Sequence, residues 1–286
     1  MTKTIVVTGA TGQVGGSVAA ALAAAGLQVR AATREPGNYR GDRNMTPVRF
    51  DYHDPGTVRS ALLGADGLFL IALPLDFAAP QVLAPIIDQA KVAGINHVVL
   101  HSALGVDQNE EAPLRKVERY LMASGLPYTI LRPNFFMDNF VSGSIAPMIN
   151  EANGIFLPAA DSKTSFIATS DIAAVALAAF EQGLVGKEFN LTGPEALDHH
   201  QVAAIINEAA DREIAYQPLA EADFPALLVE RGLPESAAQY LAMLYQFVRE
   251  GYMARLSGDV QLVTGRAPVR FAAFAAAHAE TWRKGS

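Results

Sequence analysis

The stretch TIVVTGATGQVGG, residues 4–16, sets Gly9, Gly12 and Gly15 three apart, behind a β-branched run and ahead of an alanine-rich one. The β-branched run reads as a strand buried on both faces. Residues 13–25, stopped by Gly26, read as a helix. A strand, a tight glycine turn and a helix N-terminus in this order form a cradle for phosphate. The N–H groups of the first helical turn lack intrahelical partners, and the helix dipole puts its positive end there. Glycine at 9 and 12 keeps Cβ atoms out of the path of a pyrophosphate, and glycine at 15 lets the helix pack on the strand. The pattern predicts a dinucleotide site built on Thr8, Gly9, Ala10, Thr11, Gly12, Gln13, Val14 and Gly15.

The same alternation continues downstream. Further strands are expected at residues 28–33, 47–51, 67–73, 97–102 and 128–131, with helices between the later ones. The second helix has Asp54 as N-cap and Pro55 in its first position. Strands alternating with helices predict an α/β Rossmann-type fold, a doubly wound parallel sheet covered on both faces. After Arg132 the rhythm changes, and the chain becomes mostly helical with short strand candidates at 164–168, 188–192 and in EIAYQP. Residues 1–133 are therefore read as the dinucleotide-binding domain, with part of 164–182 returning to it. Residues 134–286 are read as a smaller substrate-side domain.

In doubly wound folds ligands sit at the carboxyl ends of the strands. The second strand ends in ATREPG, where a site selective for NAD places an acidic residue for the ribose 2′-hydroxyl. Here Thr33 and Arg34 stand instead, and a guanidinium suits a 2′-phosphate. Glu35, one residue later, contests this, but the local pattern favours NADP(H) over NAD(H). Asp51 and Tyr52 end the third strand, where Asp51 is either an adenine acceptor or a turn residue before the Asp54 cap. Leu73 and Pro74 end the fourth strand and Ser102 the fifth, so all three are expected to border the cofactor.

Bulk composition narrows the function. Half of the 286 residues are hydrophobic, the formal charge is −7, and no basic cluster occurs. That disfavours nucleic-acid partners. No apolar run is long enough to span a bilayer, and no secretory pattern opens the chain. The absence of cysteine excludes disulfides, thiolate nucleophiles and Cys-ligated metal. A cytoplasmic protein is the default expectation. His199 and His200 adjoin on one helix without sharing a face, so they make no metal pair. His97 and His101 share a face of the fifth strand and read first as core histidines. His101, nearer the strand end, is the better acid of the two. The aromatic residues Tyr240, Tyr245, Phe247 and Tyr252 read as a core or homodimer face, or as the lining of an apolar pocket.

The segments TGATGQVGG, ATRE, DYHDP, VERYLMASGLPYTILRPNFFMDN and GRAPVRFAAFAAAHAETW together resemble the NmrA-like family, atypical extended members of the short-chain dehydrogenase/reductase superfamily. The resemblance implies a Rossmann domain, a small C-terminal domain and a nicotinamide dinucleotide. It places the backbone from Pro133 and Asn134 to Phe136 near the nicotinamide, with Phe135 and Phe136 helping to wall the substrate cleft. Family members include triphenylmethane dye, azo dye and quinone reductases, and also redox-sensing regulators.

The departures from the superfamily bear on mechanism. Aligned on Val117-Glu118, the resemblance puts the usual catalytic tyrosine at Glu110 and the lysine at Leu114. Lys116 is turned by about 200° from position 114 on a helix and is expected to face solvent. Ser102 and His101 remain as catalytic candidates. A ketone accepting hydride needs a proton donor, whereas a quinone or a cationic dye is less demanding. The expected activity is therefore hydride transfer from NAD(P)H to a bulky conjugated acceptor, a small aromatic molecule. The alternatives are a non-catalytic NADP(H) sensor and a tailoring enzyme acting on a polycyclic aromatic metabolite.

Overall fold

The apolar runs of the first half become strands of one sheet in the computed structural model, which describes residues 2–283. In chain order they alternate with helices: β1 (Thr4–Val7), α1 (Gln13–Ala24), β2 (Gln28–Thr33), β3 (Met45–Arg49), α2 (Pro55–Leu62), β4 (Gly67–Ile71), α3 (Ala79–Val92), β5 (His97–His101), α4 (Pro113–Ala123) and β6 (Tyr128–Pro133). The second half supplies α5 (Ala146–Ala152), β7 (Gly154–Leu157), α6 (Thr169–Gln182), β8 (Lys187–Leu191), α7 (His199–Ala210), β9 (Ala215–Pro218), α8 (Phe224–Glu230), α9 (Glu235–Arg249), α10 (Asp259–Thr264) and α11 (Phe271–Trp282).

The main sheet has the order β3-β2-β1-β4-β5-β6-β8, and every neighbouring pair is parallel. This is the doubly wound Rossmann-like arrangement, with the order reversing at β1. Val6, Leu68, Leu70, Val98, Leu100 and Ile130 pack on the apolar stripes of α2, α3 and α4. On the other side α1 packs against α6, where the Ser17 and Thr169 hydroxyls share a hydrogen bond of 2.9 Å.

The chain divides into two compact units. One comprises Met1–Pro133, Thr169–Leu191 and Leu262–Gly265; the other comprises Asn134–Ala168, Thr192–Gln261 and Arg266–Ser286. The sequence reading left residues 187–191 with the second half, but as β8 they pair with β6 and close the edge of the main sheet. A parallel partner for β6 requires a crossover, and α6 provides it. The strand candidate at 164–168 forms only isolated bridges, Thr164 with Leu197 and Ile167 with Phe136.

Within the second unit, β7 and β9 form a two-stranded parallel sheet. Its core gathers Phe140, Phe166, Phe224, Tyr245, Phe271 and Trp282. Two buried polar side chains tie elements together there: Trp282 Nε1 donates to the Phe140 carbonyl at 2.7 Å, and Arg212 Nη2 donates to the Ile149 carbonyl at 3.0 Å. A capping box between Asp198 and Gln201 starts α7. No helix among the described residues is long and apolar enough to cross a membrane.

Candidate functional site

The glycine turn is fastened to the sheet by Thr8. Its backbone N–H and its Oγ1 both donate to the Phe69 carbonyl, at 3.0 and 3.1 Å, and Oγ1 accepts from Ile71 N at 2.9 Å. The three glycines then have distinct reasons. Gly9 holds φ at +64°, and a Cβ there would lie 2.8 Å from Ile71 Cγ2, so the chain itself requires glycine. A Cβ on Gly15 would lie 2.2 Å from the Gly9 carbonyl oxygen, so α1 approaches the turn only because position 15 is bare. Gly12 differs. It is exposed, its backbone is extended, and a Cβ would meet nothing in the chain closer than the Gly9 oxygen at 3.4 Å. The space beside Gly12 is therefore open from outside.

Gly12 is also the N-cap of α1, which has no side-chain cap and no acidic residue in its first turn. By contrast, α2 is capped by Asp54, which accepts from Gly56 N at 2.9 Å. A helix start without a side-chain cap, beside a bare backbone at Gly12, fits the pyrophosphate of a dinucleotide. Ala10 and Val14 are buried under the turn, Thr11 is exposed and Gln13 is half-buried.

Along the carboxyl ends of the strands, Arg34 is exposed directly after β2. Glu35 is drawn into its own loop by Asn38, whose amide donates to the Glu35 carboxylate at 2.5 Å. A cavity of about 390 Å³ opens between Ala10, Thr11 and Gly16 on one side and residues 38–42 on the other. Asp51 accepts from His53 N at 3.0 Å, and its own N–H donates to Thr57 Oγ1 at 3.0 Å, which makes it a turn residue. Tyr52 donates to the Ile71 carbonyl at 2.8 Å and ties the ends of β3 and β4. Burial pushes its phenol up to about 12. Leu73 is half-buried and Pro74 exposed in the loop after β4.

Ser102 is 1% exposed at the end of β5, and its hydroxyl donates to Glu118 Oε1 at 2.6 Å. Glu118 is fully buried and also accepts from Arg132 Nε at 2.7 Å, Arg132 Nη2 at 2.8 Å and Arg115 Nη1 at 2.8 Å. Arg132 pairs with Glu188 on β8 as well. Burial opposes the guanidinium charge of Arg132, but the hydrogen bonds and charge of Glu118, joined by those of Glu188, hold it well above the usual range. Ser102, a candidate acid in the sequence reading, thus sits in a buried ion-pair network. His101, the other candidate, is buried too, and burial lowers its imidazole to about 4, so it is neutral at physiological pH. His97 is a core residue whose Nε2 bonds Thr129 Oγ1 at 2.8 Å.

On α4, Leu114 packs into the core. Glu110 is bound by Arg115 and Arg119 at 2.9 and 2.7 Å, and hydrogen bonds from Arg119 and then Arg115 lower its carboxyl to about 2. Lys116 is exposed and pairs with Glu111 at 2.7 Å. Beyond β6, the Pro133 carbonyl accepts from Leu104 N at 3.0 Å. The Asn134 side chain is occupied within the second unit, donating to Ser165 Oγ at 2.7 Å and the Met253 carbonyl at 2.8 Å. Phe135 and Phe136 are half-buried. The Glu118 network escaped the sequence reading, because it joins residues 14 and 16 positions apart on separate elements.

Comparison with known proteins agrees with this architecture. The chain is 32% identical over 282 residues to the NAD(P)H azoreductase of Xenophilus azovorans, covering 96% of this chain and 98% of that one. It is 31% identical over 277 residues to the prestalk A differentiation protein A of Dictyostelium discoideum, covering 95% and 91%. The structure of the Escherichia coli NADPH-dependent quinone oxidoreductase QOR2 in complex with NADPH superposes with a TM-score of 0.82 at 28% identity, over 96% of this chain and 98% of that one. The model of the NmrA-like family matches residues 1–265. By its strand order, its glycine turn and this match, the chain belongs to the NmrA-like family.

Proposed function

We propose that the protein is an NADP(H)-dependent oxidoreductase that passes hydride to a bulky conjugated acceptor such as a quinone, an azo or triphenylmethane dye, or a polycyclic aromatic. The observation that carries this reading is the bare, outward-open backbone at Gly12 on an uncapped helix start. It is supported by the names of the azoreductase and quinone oxidoreductase relatives. Gly9 and Gly12 through Gly15 hold the pyrophosphate, and Arg34 answers a 2′-phosphate. When bound, the dinucleotide supplies a hydride, which is two electrons and a proton.

The choice of acceptor follows from what the carboxyl edge lacks. Glu110 and Leu114 stand where the superfamily resemblance expects a Tyr–Lys pair. Ser102 is engaged by Glu118 and His101 is neutral, so neither supplies a proton to a ketone reduction. A delocalised acceptor spreads the incoming charge or has a positive charge quenched by it. Orientation against the reduced ring then supplies most of the acceleration.

The test is to mix the purified protein and NADPH with a panel of quinones and cationic dyes and to follow absorbance at 340 nm. Consumption with a conjugated acceptor, and none with simple ketones, is the expected result. Tight binding of NADPH with no consumption across the panel refutes the enzyme reading in favour of a dinucleotide sensor.

A further inference from the structure

We propose that Asn38 sets a preference for NADP(H) over NAD(H) by holding the Glu35 carboxylate in its own turn, off the ribose 2′ position. This rests on the dinucleotide site proposed above and names a positioning residue for its specificity. The end of β2 carries two opposed signals. Arg34, the first residue after the strand, suits a 2′-phosphate, and Glu35, the second, suits the ribose 2′-hydroxyl of NAD(H). A carboxylate free to reach that hydroxyl would also repel a 2′-phosphate. The preference therefore turns on where Glu35 is kept.

The turn after β2 keeps it in place. Pro36 biases Glu35 away from the helical region, and one 3₁₀ turn follows over Pro36–Asn38. Glu35 is then held along its whole length. Its N–H donates to Thr33 Oγ1 at 3.3 Å, its carbonyl accepts from Asn38 N at 3.1 Å, and its carboxylate accepts from the Asn38 amide at 2.5 Å. Arg40 donates to the Gly37 carbonyl at 3.2 Å and braces the same turn. The Arg34 side chain, in contrast, has no hydrogen-bond or ion-pair partner among the described residues. The carboxylate is engaged and the guanidinium is not.

The cavity of about 390 Å³ beside the glycine turn has the matching lining. Asn38 borders it across from Thr11, and Glu35 does not border it. Arg40 and Asp42 bring opposite charges to the same wall, so the balance at the ribose end is left to Arg34 and Glu35. A Glu35 released from Asn38 is the state that serves NAD(H). Holding it back reduces the apparent affinity for NAD(H) by the fraction of molecules in which it is free. The same bond spares a 2′-phosphate the repulsion of a second anion.

Fluorescence titration with NADPH and with NADH is run on the wild-type protein, Asn38→Ala, Glu35→Ala and the double variant. Both residues are exposed, so neither change reaches the core. Asn38→Ala is expected to tighten NADH binding about fivefold and to weaken NADPH binding about twofold, the scale of one hydrogen bond released. Glu35→Ala alone should leave both affinities at the wild-type level. The double variant should return to the wild-type ratio of affinities, which a purely structural role of Asn38 in the turn does not produce. An unchanged ratio in Asn38→Ala, or the same shift in the double variant, overturns the proposal, while NADPH binding by the wild-type protein leaves the dinucleotide reading intact. Weaker NADH binding in Glu35→Ala also overturns it, since the carboxylate then already serves the ribose. Wild-type protein that binds neither dinucleotide, or binds NADH the tighter, refutes the NADP(H) reading and the proposal together.

Discussion

Alanine at position 12 and alanine at position 15 perturb different properties, although both add one methyl to the same turn. At Gly15 the new Cβ would lie 2.2 Å from the Gly9 oxygen, 2.5 Å from the Gly9 carbonyl carbon and 2.7 Å from the Thr8 oxygen. Relief requires α1 to move by about 1 Å from β1, and overpacking of this kind costs about 1–3 kcal/mol or more. At Gly12 the nearest atom is 3.4 Å away, and φ −95°, ψ 175° is open to alanine. Reduced freedom of the unfolded chain then adds about 0.4–1 kcal/mol, against a similar loss in capping preference, so stability should hardly change. The Gly12 methyl instead fills the space left for pyrophosphate. An overpacking cost of about 1–3 kcal/mol on the bound state corresponds to roughly 5- to 150-fold weaker binding. Urea unfolding and NADPH fluorescence titration of both variants check this. Wild-type affinity in Gly12→Ala, or wild-type stability in Gly15→Ala, would refute the division of roles.

Three further outcomes are expected. Glu118→Ala strands the buried Arg132 and Arg115 guanidinium groups without their shared carboxylate, and breaking such a buried pair should destabilise by about 3–5 kcal/mol in urea unfolding. Arg34→Ala should weaken NADPH binding by about 10- to 100-fold, the loss of a charged hydrogen bond, and leave NADH binding unchanged in parallel titrations. His101 and His199 are both held down to about 4 by burial, so the unfolded chain binds more protons between that value and 6.5. Stability should therefore be complete above pH 6.5 and fall as the pH drops, by about 2 kcal/mol per histidine at pH 5. His101→Gln should flatten that dependence in unfolding curves recorded at pH 7 and 5.

Local signals in the sequence carried the frame of the fold. The β-branched and apolar runs gave strands within two residues of those observed, because a sheet buried on both faces demands continuous apolar residues. Asp54-Pro55 announced a helix start, because a cap acts through its own neighbouring N–H groups. The glycine turn was legible as a unit, but the separate reasons for Gly9, Gly12 and Gly15 were not. They depend on Ile71 and on the path of the chain through three dimensions. The same limit hid β8 as the sheet edge and the engagement of Ser102 by Glu118, 16 positions away in the sequence.

Direct hydride transfer is tested most sharply by isotope. Either C4-deuterated epimer of NADPH is incubated with the protein and a triphenylmethane dye cation, and the colourless product is analysed by mass spectrometry. The account predicts that one epimer delivers a single deuterium to the central carbon of the dye. A product without label from either epimer, or no product while NADPH remains bound, would contradict it.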